Sequence, residues 1–271
     1  MSKVGLDISH YQGTNINWQK MASAGVKFIY LKCTEGTFYR DDTFANNYTN
    51  AKKVGLKVGA YHFVRGSDAE SQFQWFKQGM GNRIFDLVPA LDVELSSISE
   101  ALVDSLGRKL EKYMGDNPEQ FSLPKRNVKN VLKSIWQTIT HPSRSKIRSL
   151  AVNRGMLYPR PAIYTNTSLG NSIFKSAKMS RYPLWLATRK TTKPDIPKIW
   201  KQNGIYVWQD AVTSGVPYGI KGNVDHNYWG TALPFPDDNP PTPPPVTTKE
   251  FTITIEVNSS KYSSKVKLEK Q

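Results

Sequence analysis

"VPALDVEL", residues 88–95, is an apolar run that contains two acidic residues two positions apart. In a β-strand, residues i and i+2 point to the same side about 6.5–7 Å apart, so Asp92 and Glu94 would share one face. The apolar neighbours would pack on the other face. A buried charge is costly unless it has a partner or a function. The stretch therefore predicts a core strand that ends in a pair of functional carboxyl groups.

Seven further runs of β-branched and aromatic residues occur along the chain, with helical or turn segments between them. This alternation is typical of an α/β protein with a mainly parallel sheet. Eight strands predict a barrel of the TIM-like (β/α) type, irregular because the later connections look too short for a full helix each. The runs cover residues 4–9, 27–33, 57–64, 88–95, 161–166, 182–187, 205–210 and 223–229.

The connection between the fourth and fifth predicted strands is unusually long, with 70 positions from Glu94 to Tyr164. Apolar residues recur there at helical spacing in two segments, which predicts a helical insert over about residues 97–160. Residues 105–160 contain 12 lysines or arginines against 3 aspartates or glutamates. The insert is either a solvated basic surface or a platform for an anionic polymer. The two faces comprise Ile98, Leu102, Leu106, Leu110 and Met114, then Val128, Val131, Leu132, Ile135 and Ile139.

The C-terminal part of the chain changes in composition. Seven of the 17 prolines lie between Pro234 and Pro245, which predicts a stiff linker over residues 234–248. Residues 249–271 alternate apolar and polar residues as a hairpin does, but so short a segment cannot bury a stable core alone. We therefore expect a barrel domain over residues 1–233, the linker, and a short β segment that belongs to a further module.

The net charge of +15 indicates an anionic partner. The insert does not interleave aromatic residues with its basic ones as single-strand nucleic-acid binders do, so we predict no nucleic-acid partner. No apolar run approaches the length of a membrane span, and the first residues lack the apolar segment of a signal peptide. We expect a soluble protein that is made in the cytoplasm and does not bind membranes.

Two more acids accompany the pair in residues 88–95. Asp7 and Asp225 also end predicted strands, the first and the last, which become neighbours when a barrel closes. Two carboxylates that lie close together repel each other, so one is held protonated near neutral pH, as a general acid requires. A proton donor beside an anionic group is the equipment of a glycosidase. On residues 88–95 alone, Asp92 and Glu94 could instead be metal ligands or salt-bridge partners. Asp7 or Asp225 taken singly could be a helix cap, the commoner role of an acid at a strand-to-helix turn.

Aromatic residues occur near other strand ends, where they would offer flat apolar faces to sugar rings, although core packing is the default for any one of them. They are Tyr61, Tyr164, Trp185 and Trp208. We predict neither a metal nor a cofactor at this rim.

An ordered series of motifs resembles glycoside hydrolase family 25, the lysozymes or N-acetylmuramidases found among phage endolysins and bacterial autolysins. The series is "GLDISHYQG", "KCTEGTFYRDDTFANNYTNAKKVGLKVGAYHF", "ALDVE", "AIYTN", "LWLA", "VWQD" and "VDHNYW", spanning roughly residues 3–230 apart from the insert. The resemblance implies an irregular β/α barrel. It also implies cleavage of the β-1,4 bond from N-acetylmuramic acid to N-acetylglucosamine in bacterial peptidoglycan.

By motif position, the resemblance makes Glu94 the general acid/base. Asp92 would either attack the anomeric carbon or orient the substrate's 2-acetamido group as the nucleophile, and we favour the second role. Asp7 and Asp225 would bind substrate and tune Glu94. Glu35, in "CTEGT", matches a further motif acid with either a structural role or a sugar contact. The insert departs from the family pattern and could either form a wall of the substrate groove or bind teichoic acid phosphates.

Two alternatives stay open. One is a wall-binding protein that holds glycan without cutting it, which has no need of a buried proton donor. The other is a chitinase-like hydrolase, which the flanking motifs do not favour. Without a signal peptide, the protein is expected to be a phage endolysin made in the host cytoplasm that reaches the cell wall after release through a holin-like pore.

Overall fold

The computed structural model describes residues 3–121, 160–189 and 194–230, and the backbone of residues 247–257 and 260–270. The chain divides into two compact units, Met1–Pro234 and Phe235–Gln271. No helix among the described residues has both the length and the apolar character needed to span a lipid bilayer.

The first unit is a closed barrel of eight strands, which confirms the predicted fold class. The strand order is β1-β9-β8-β7-β6-β5-β4-β2, and a β1–β2 pairing closes the ring. The short strand β3 extends β2 at one edge and is the one strand of this sheet that the sequence pattern missed. The strands are β1 (Val4–Ile8), β2 (Val26–Glu35), β3 (Tyr39–Arg40), β4 (Lys57–Phe63), β5 (Ala90–Asp92), β6 (Ala162–Asn166), β7 (Leu184–Ala187), β8 (Val207–Ser214) and β9 (Asn223–Trp229).

One strand runs against the others. β9 is antiparallel to both of its neighbours, β8 and β1, whereas the remaining pairs around the ring are parallel. The sequence prediction placed Asp225 at the end of its strand, but it lies near the beginning of β9. Because β9 is reversed, its beginning lies at the same rim as the carboxyl ends of the parallel strands, so Asp225 still reaches that rim.

Helices cover part of the barrel. They are α1 (Trp18–Ser23), α2 (Phe44–Lys53), α3 (Ala69–Met80), α4 (Glu100–Asp116) and α5 (Thr167–Ile173). Gly25 and Gly55 follow α1 and α2 with φ of 89° and 81°, a left-handed conformation that suits glycine after a helix. Between β7 and β8 and between β8 and β9, the described residues form only short 3-10 turns, Lys198–Trp200 and Val216–Tyr218. The barrel is therefore irregular, as expected from the short connections.

Large aromatic side chains fill the barrel interior. The rings of Tyr30 and Trp185 lie 4.5 Å apart, and the Tyr30 hydroxyl bonds the carbonyl of Val88 at 2.8 Å and contacts the Tyr206 hydroxyl at 3.0 Å. A Cβ atom on Gly59 would lie 2.3 Å from the Tyr30 ring, so only glycine leaves room for it. The interior is a packed floor beneath the rim and not a pore.

Helix α4 is the first helix of the predicted insert, and most of its predicted apolar face is buried. Ile98 is buried just before the helix begins, and Leu102 is only half-buried, with Val103 buried beside it. Val103, Leu106, Leu110 and Met114 are all inaccessible to solvent, and Tyr113 packs edge-on against Phe73 of α3 at 6.0 Å. The second predicted helix, with its basic residues, lies outside the described residues.

The second unit contains a two-stranded antiparallel sheet. β10 (Thr247–Val257) pairs with β11 (Ser260–Lys270), with Val257 opposite Ser260 next to the connection. This is the short β segment that the alternating pattern predicted.

Candidate active site

Three strands bring acidic side chains to one rim of the barrel. Asp7 lies near the end of β1, and Asp92 is the last residue of β5. Asp225 pairs directly with Asp7 across the antiparallel β1–β9 ladder. Residues opposed in this way have Cβ atoms about 4.5–5.5 Å apart, so the two carboxyl groups are close neighbours.

Asp7 is held by two side-chain amides. Its Oδ2 accepts a hydrogen bond from Asn227 Nδ2 at 2.7 Å and one from Gln209 Nε2 at 3.1 Å. The amides are themselves fixed, because Trp185 Nε1 donates to Asn227 Oδ1 at 2.8 Å and the Tyr164 hydroxyl donates to Gln209 Oε1 at 2.9 Å. Burial and the neighbouring charge of Asp225 raise the pKa of Asp7 well above its usual value, against the two amide hydrogen bonds.

Asp92 is a buried acid with an incomplete set of hydrogen bonds. Only 6% of it is exposed, and its Oδ1 has no hydrogen-bond partner among the described residues. Burial raises the pKa of Asp92 well above its usual value, and the charge of Glu94 raises it further, while Lys32 opposes both effects. Asp92 is therefore a buried carboxyl group whose environment favours its protonated form, and one of its oxygens lacks a hydrogen-bond partner among the described residues.

Glu94 differs from Asp92 in its environment. Strand β5 is shorter than the predicted run and ends at Asp92, so Glu94 lies beyond the strand end and its side chain is exposed. It lines an open cleft of about 470 Å³. The other residues that line this cleft include Tyr164, Asn166, Arg189, Gln209 and Asp225.

Asp225 also lines this cleft. Burial and then the charge of Glu94 raise the pKa of Asp225, while Arg189 at the end of β7 lowers it. The rim therefore holds several carboxyl groups that cannot all be ionised together, which is the condition for storing a proton at neutral pH.

The predicted aromatic residues differ in position: two lie in the site, one packs beneath them, and one lies on the opposite face of its strand. Tyr61 and Tyr164 are half-buried in the site, and both stand edge-on to Trp185, with ring centroids 6.3 and 5.0 Å from it. Trp185 itself is only 2% exposed, so it supports the two tyrosines and presents no face of its own to the cleft. Trp208 alternates with Gln209 along β8 and packs on Tyr228 at 6.2 Å, on the opposite face from the acids.

Glu35 is enclosed by positive charge. Its Oε2 accepts from Lys32 Nζ at 2.5 Å, and its Oε1 accepts from both Nε and Nη2 of Arg65 at 2.9 and 2.5 Å. Burial alone would raise the pKa of Glu35, but the hydrogen bonds and charges of Lys32 and Arg65 hold it below its ordinary value. Both carboxylate oxygens of Glu35 are thus engaged with the protein.

The sequence reasoning missed several polar residues of this rim, among them Gln209, Asn227, Lys32 and Arg65. Gln209 and Asn227 would have been found by following the alternation of β8 and β9, because Asn227 lies two residues after Asp225 on the same face. Lys32 and Arg65 gave no such signal, since single basic residues near strand ends are ordinary in a chain of this charge.

A buried histidine beside this rim predicts a pH-dependent stability. His62 is inaccessible to solvent, its Nδ1 lies 2.8 Å from Thr34 Oγ1, and burial lowers its pKa to about 4. Because that pKa is depressed below the unfolded value, the stabilisation is present above about pH 6.5 and is lost as the pH falls towards 4, by about 3 kcal/mol in total. Urea unfolding of wild type and His62→Gln at pH 7 and pH 5 measures it.

The raised pKa values of Asp7 and Asp92 affect both proteins equally, so the comparison isolates His62. We expect the free energy of unfolding to fall more steeply in wild type than in His62→Gln over this interval. Equal falls would show that His62 does not stay neutral in the folded protein.

Comparisons with known proteins agree with the barrel fold. The family model described as glycosyl hydrolases family 25 matches residues 6–216. Lysozyme M1 of Streptomyces globisporus is 30% identical over 231 residues, which are 82% of this chain and 66% of that protein. The autolytic lysozyme of Clostridium acetobutylicum is 27% identical over 221 residues, 82% of this chain and 54% of that protein.

The solved structure of a bacterial lysozyme from Streptomyces coelicolor has a TM-score of 0.61 and 26% identity, covering 84% of this chain and 92% of that one. The chain spans only about half to two thirds of the length of the two curated relatives. The family match nevertheless covers most of the chain and includes three of the four rim acids. The chain therefore belongs to glycosyl hydrolases family 25.

Proposed function

We propose that this protein is an N-acetylmuramidase, which hydrolyses the β-1,4 bond from N-acetylmuramic acid to N-acetylglucosamine in bacterial peptidoglycan. The observation that supports it most is the pairing of a buried, proton-holding Asp92 with an exposed Glu94 two residues further along, at the edge of an open cleft. Family membership and lysozyme relatives support the same chemistry. A purely glycan-binding protein would not need such a pair.

Glu94 is the proposed general acid/base. It is exposed and lines the cleft, whereas Asp92 is buried, so the Glu94 carboxyl group is the better placed of the two to protonate the glycosidic oxygen of a bound glycan. In the first step Glu94 gives its proton to that oxygen as the bond to the anomeric carbon breaks. In the second step it takes a proton from the water that attacks the same carbon.

Asp92 is proposed to act on the substrate's acetamido group. In the free protein the proton is held by Asp92, whose pKa is raised by burial and by the charge of Glu94. When the acetamido N–H binds Asp92, the proton passes from Asp92 to Glu94, which is then the acid. The acetamido oxygen bonds to the anomeric carbon as the leaving group departs, and Asp92 balances the positive charge of the resulting ring. Direct attack by Asp92 is the alternative for this step.

Asp7 and Asp225 are proposed to bind the sugar and to keep the proton on the Asp92–Glu94 pair. Asp7 is fixed by Asn227 and Gln209, so it can hold a sugar hydroxyl in one position. Whenever Asp7 or Asp225 is ionised, its negative charge makes it harder for a further carboxyl group at the rim to ionise.

The bond that is cut distinguishes this function from its closest alternative. We expect digestion of purified Gram-positive cell walls to release soluble fragments whose new reducing ends are N-acetylmuramic acid. Borohydride reduction of those ends followed by mass spectrometry measures this directly. Reducing ends of N-acetylglucosamine, or cleavage of chitin oligomers at a similar rate, would favour the chitinase-like alternative.

Delivery and wall attachment stay predictions of the sequence. These are an origin as a phage endolysin, release through a holin-like pore, and binding of teichoic acids by the basic insert. None of them is needed for the cleavage itself.

A further inference from the structure

We propose that Lys32, Glu35 and Arg65, here called the basic rim cluster, recognise a carboxylate on the 3-O substituent of the muramic acid residue. The proposal rests on the muramidase function and deepens it, because it names what makes the site prefer muramic acid. The carboxylate belongs either to the lactyl group itself or to the stem peptide attached to it.

The cluster lies beside the acids on the same rim. Glu35 pairs with Phe63 across β2 and β4, and Phe63 pairs with Asp92 across β4 and β5. Neighbouring strands are about 4.8 Å apart, so Glu35 is two strand spacings from Asp92. A substituent on the sugar ring that Asp92 contacts would extend over this distance to reach the cluster.

The cluster has a net positive charge. Two cations, Lys32 and Arg65, contact a single carboxylate that is itself held ionised, so one positive charge is left over. The side chain of Lys32 is only 9% exposed, and its Nζ lies 5.0 Å from the centre of the Phe63 ring. A partly desolvated charge interacts more strongly with an incoming anion than a solvated one does.

Arg65 has hydrogen-bond donors that no described residue uses. A guanidinium group carries five N–H donors, and Glu35 engages Nε and Nη2, whereas no described residue accepts from Nη1. The side chain is 38% exposed and lies over Phe63, with its guanidinium carbon 4.7 Å from the ring centre. Its backbone N–H is fixed by Gln72 Oε1 at 2.9 Å, so the arginine begins from a defined position.

This arrangement suits muramic acid and not its neighbour in the glycan. N-acetylglucosamine carries a neutral hydroxyl at the position where muramic acid carries the lactyl ether. A net positive cluster beside the cleavage site gains a charge-assisted hydrogen bond from the acidic sugar alone. The competing explanation is that Lys32 and Arg65 only balance the rim acids, in which case the substituent would not matter.

The test uses three soluble glycan strands with the same sugar backbone. One retains its stem peptides, one has lost them and exposes the lactyl carboxylate, and one has that carboxylate converted to a neutral methylamide. We expect KM of the wild-type protein to be about tenfold lower for a carboxylate strand than for the methylamide strand. Arg65→Gln should bring this ratio close to one, and Arg40→Gln should leave it unchanged.

Arg40 is a matched control because it is an exposed arginine on β3 that stacks on Trp75 and bonds Gln78. A preference for the strand without stems identifies the lactyl group as the ligand, and a preference only for the strand with stems identifies the peptide. In wild type, rising salt should also reduce the ratio, which needs no variant.

A ratio near one in wild type, or the same ratio in Arg65→Gln and wild type, would overturn the carboxylate site. Either result leaves the muramidase function standing as long as N-acetylmuramic acid reducing ends are released. If no strand is cut at all, the proposed function fails and not the cluster alone.

Discussion

Replacing Glu94 by glutamine is expected to lower kcat on soluble peptidoglycan strands by about 10²–10⁴-fold, the usual contribution of a general acid/base. Glutamine has nearly the same shape but no acidic proton, so the glycosidic oxygen would have to leave unprotonated, which makes it a poor leaving group. KM should change little, because the amide can still contact the sugar. Reducing-end release with time, measured at several substrate concentrations, gives both constants.

The fold offers an internal check on this expectation. Glu94 lies beyond the end of β5 with its side chain exposed, so the substitution should change the free energy of unfolding by no more than about 0.5 kcal/mol. Glu119→Gln is the matched control, since Glu119 is exposed in the 3-10 turn Pro118–Phe121 and does not line the cleft. Undiminished activity of the Glu94 variant would remove this residue from the chemistry.

The fold could be predicted from the sequence because barrel strands that are buried on both faces appear as nearly continuous runs of apolar residues. All eight runs became strands. The direction of β9 was not accessible, since an apolar run reads the same in a parallel and an antiparallel strand. Its direction depends on the short connection after β8, which leaves no length for a parallel crossover.

The acidic residues of the site could be predicted from the sequence for a different reason. A carboxylate in an apolar run stands out by its desolvation cost, and Asp7, Asp92 and Asp225 all stood out in that way. The difference in burial between Asp92 and Glu94 could not be predicted from the sequence. It depends on β5 ending at Asp92, which separates a buried acid from an exposed one. The pairing of Glu35 with Arg65 depends on contact between residues distant in the chain.

The Asp92→Asn variant is expected to lose about 10²–10³-fold in kcat, comparable to the loss of one electrostatic contact to a developing charge. Asparagine can still accept the acetamido N–H, but it carries no negative charge to balance the positive ring that forms. Unfolding cannot explain such a loss. The raised pKa of Asp92 means that the folded state loses stability as the pH rises from the unfolded value through the folded one, so a neutral asparagine should be at least as stable at pH 8.

A second substrate separates the two roles of Asp92. If the acetamido oxygen is the nucleophile, the wild-type protein should cut strands whose muramic acid has lost its N-acetyl group only slowly. The loss of rate should be about as large as the loss that Asp92→Asn shows on acetylated strands. Asp42→Asn, an exposed aspartate outside the cleft, should cut acetylated strands normally. If instead Asp92 attacks the anomeric carbon itself, wild type will still cut the deacetylated strands, and a slow fluorinated substrate will leave a sugar bonded to Asp92 that mass spectrometry detects. That mass shift on Asp92 would replace substrate assistance with a covalent glycosyl-enzyme mechanism.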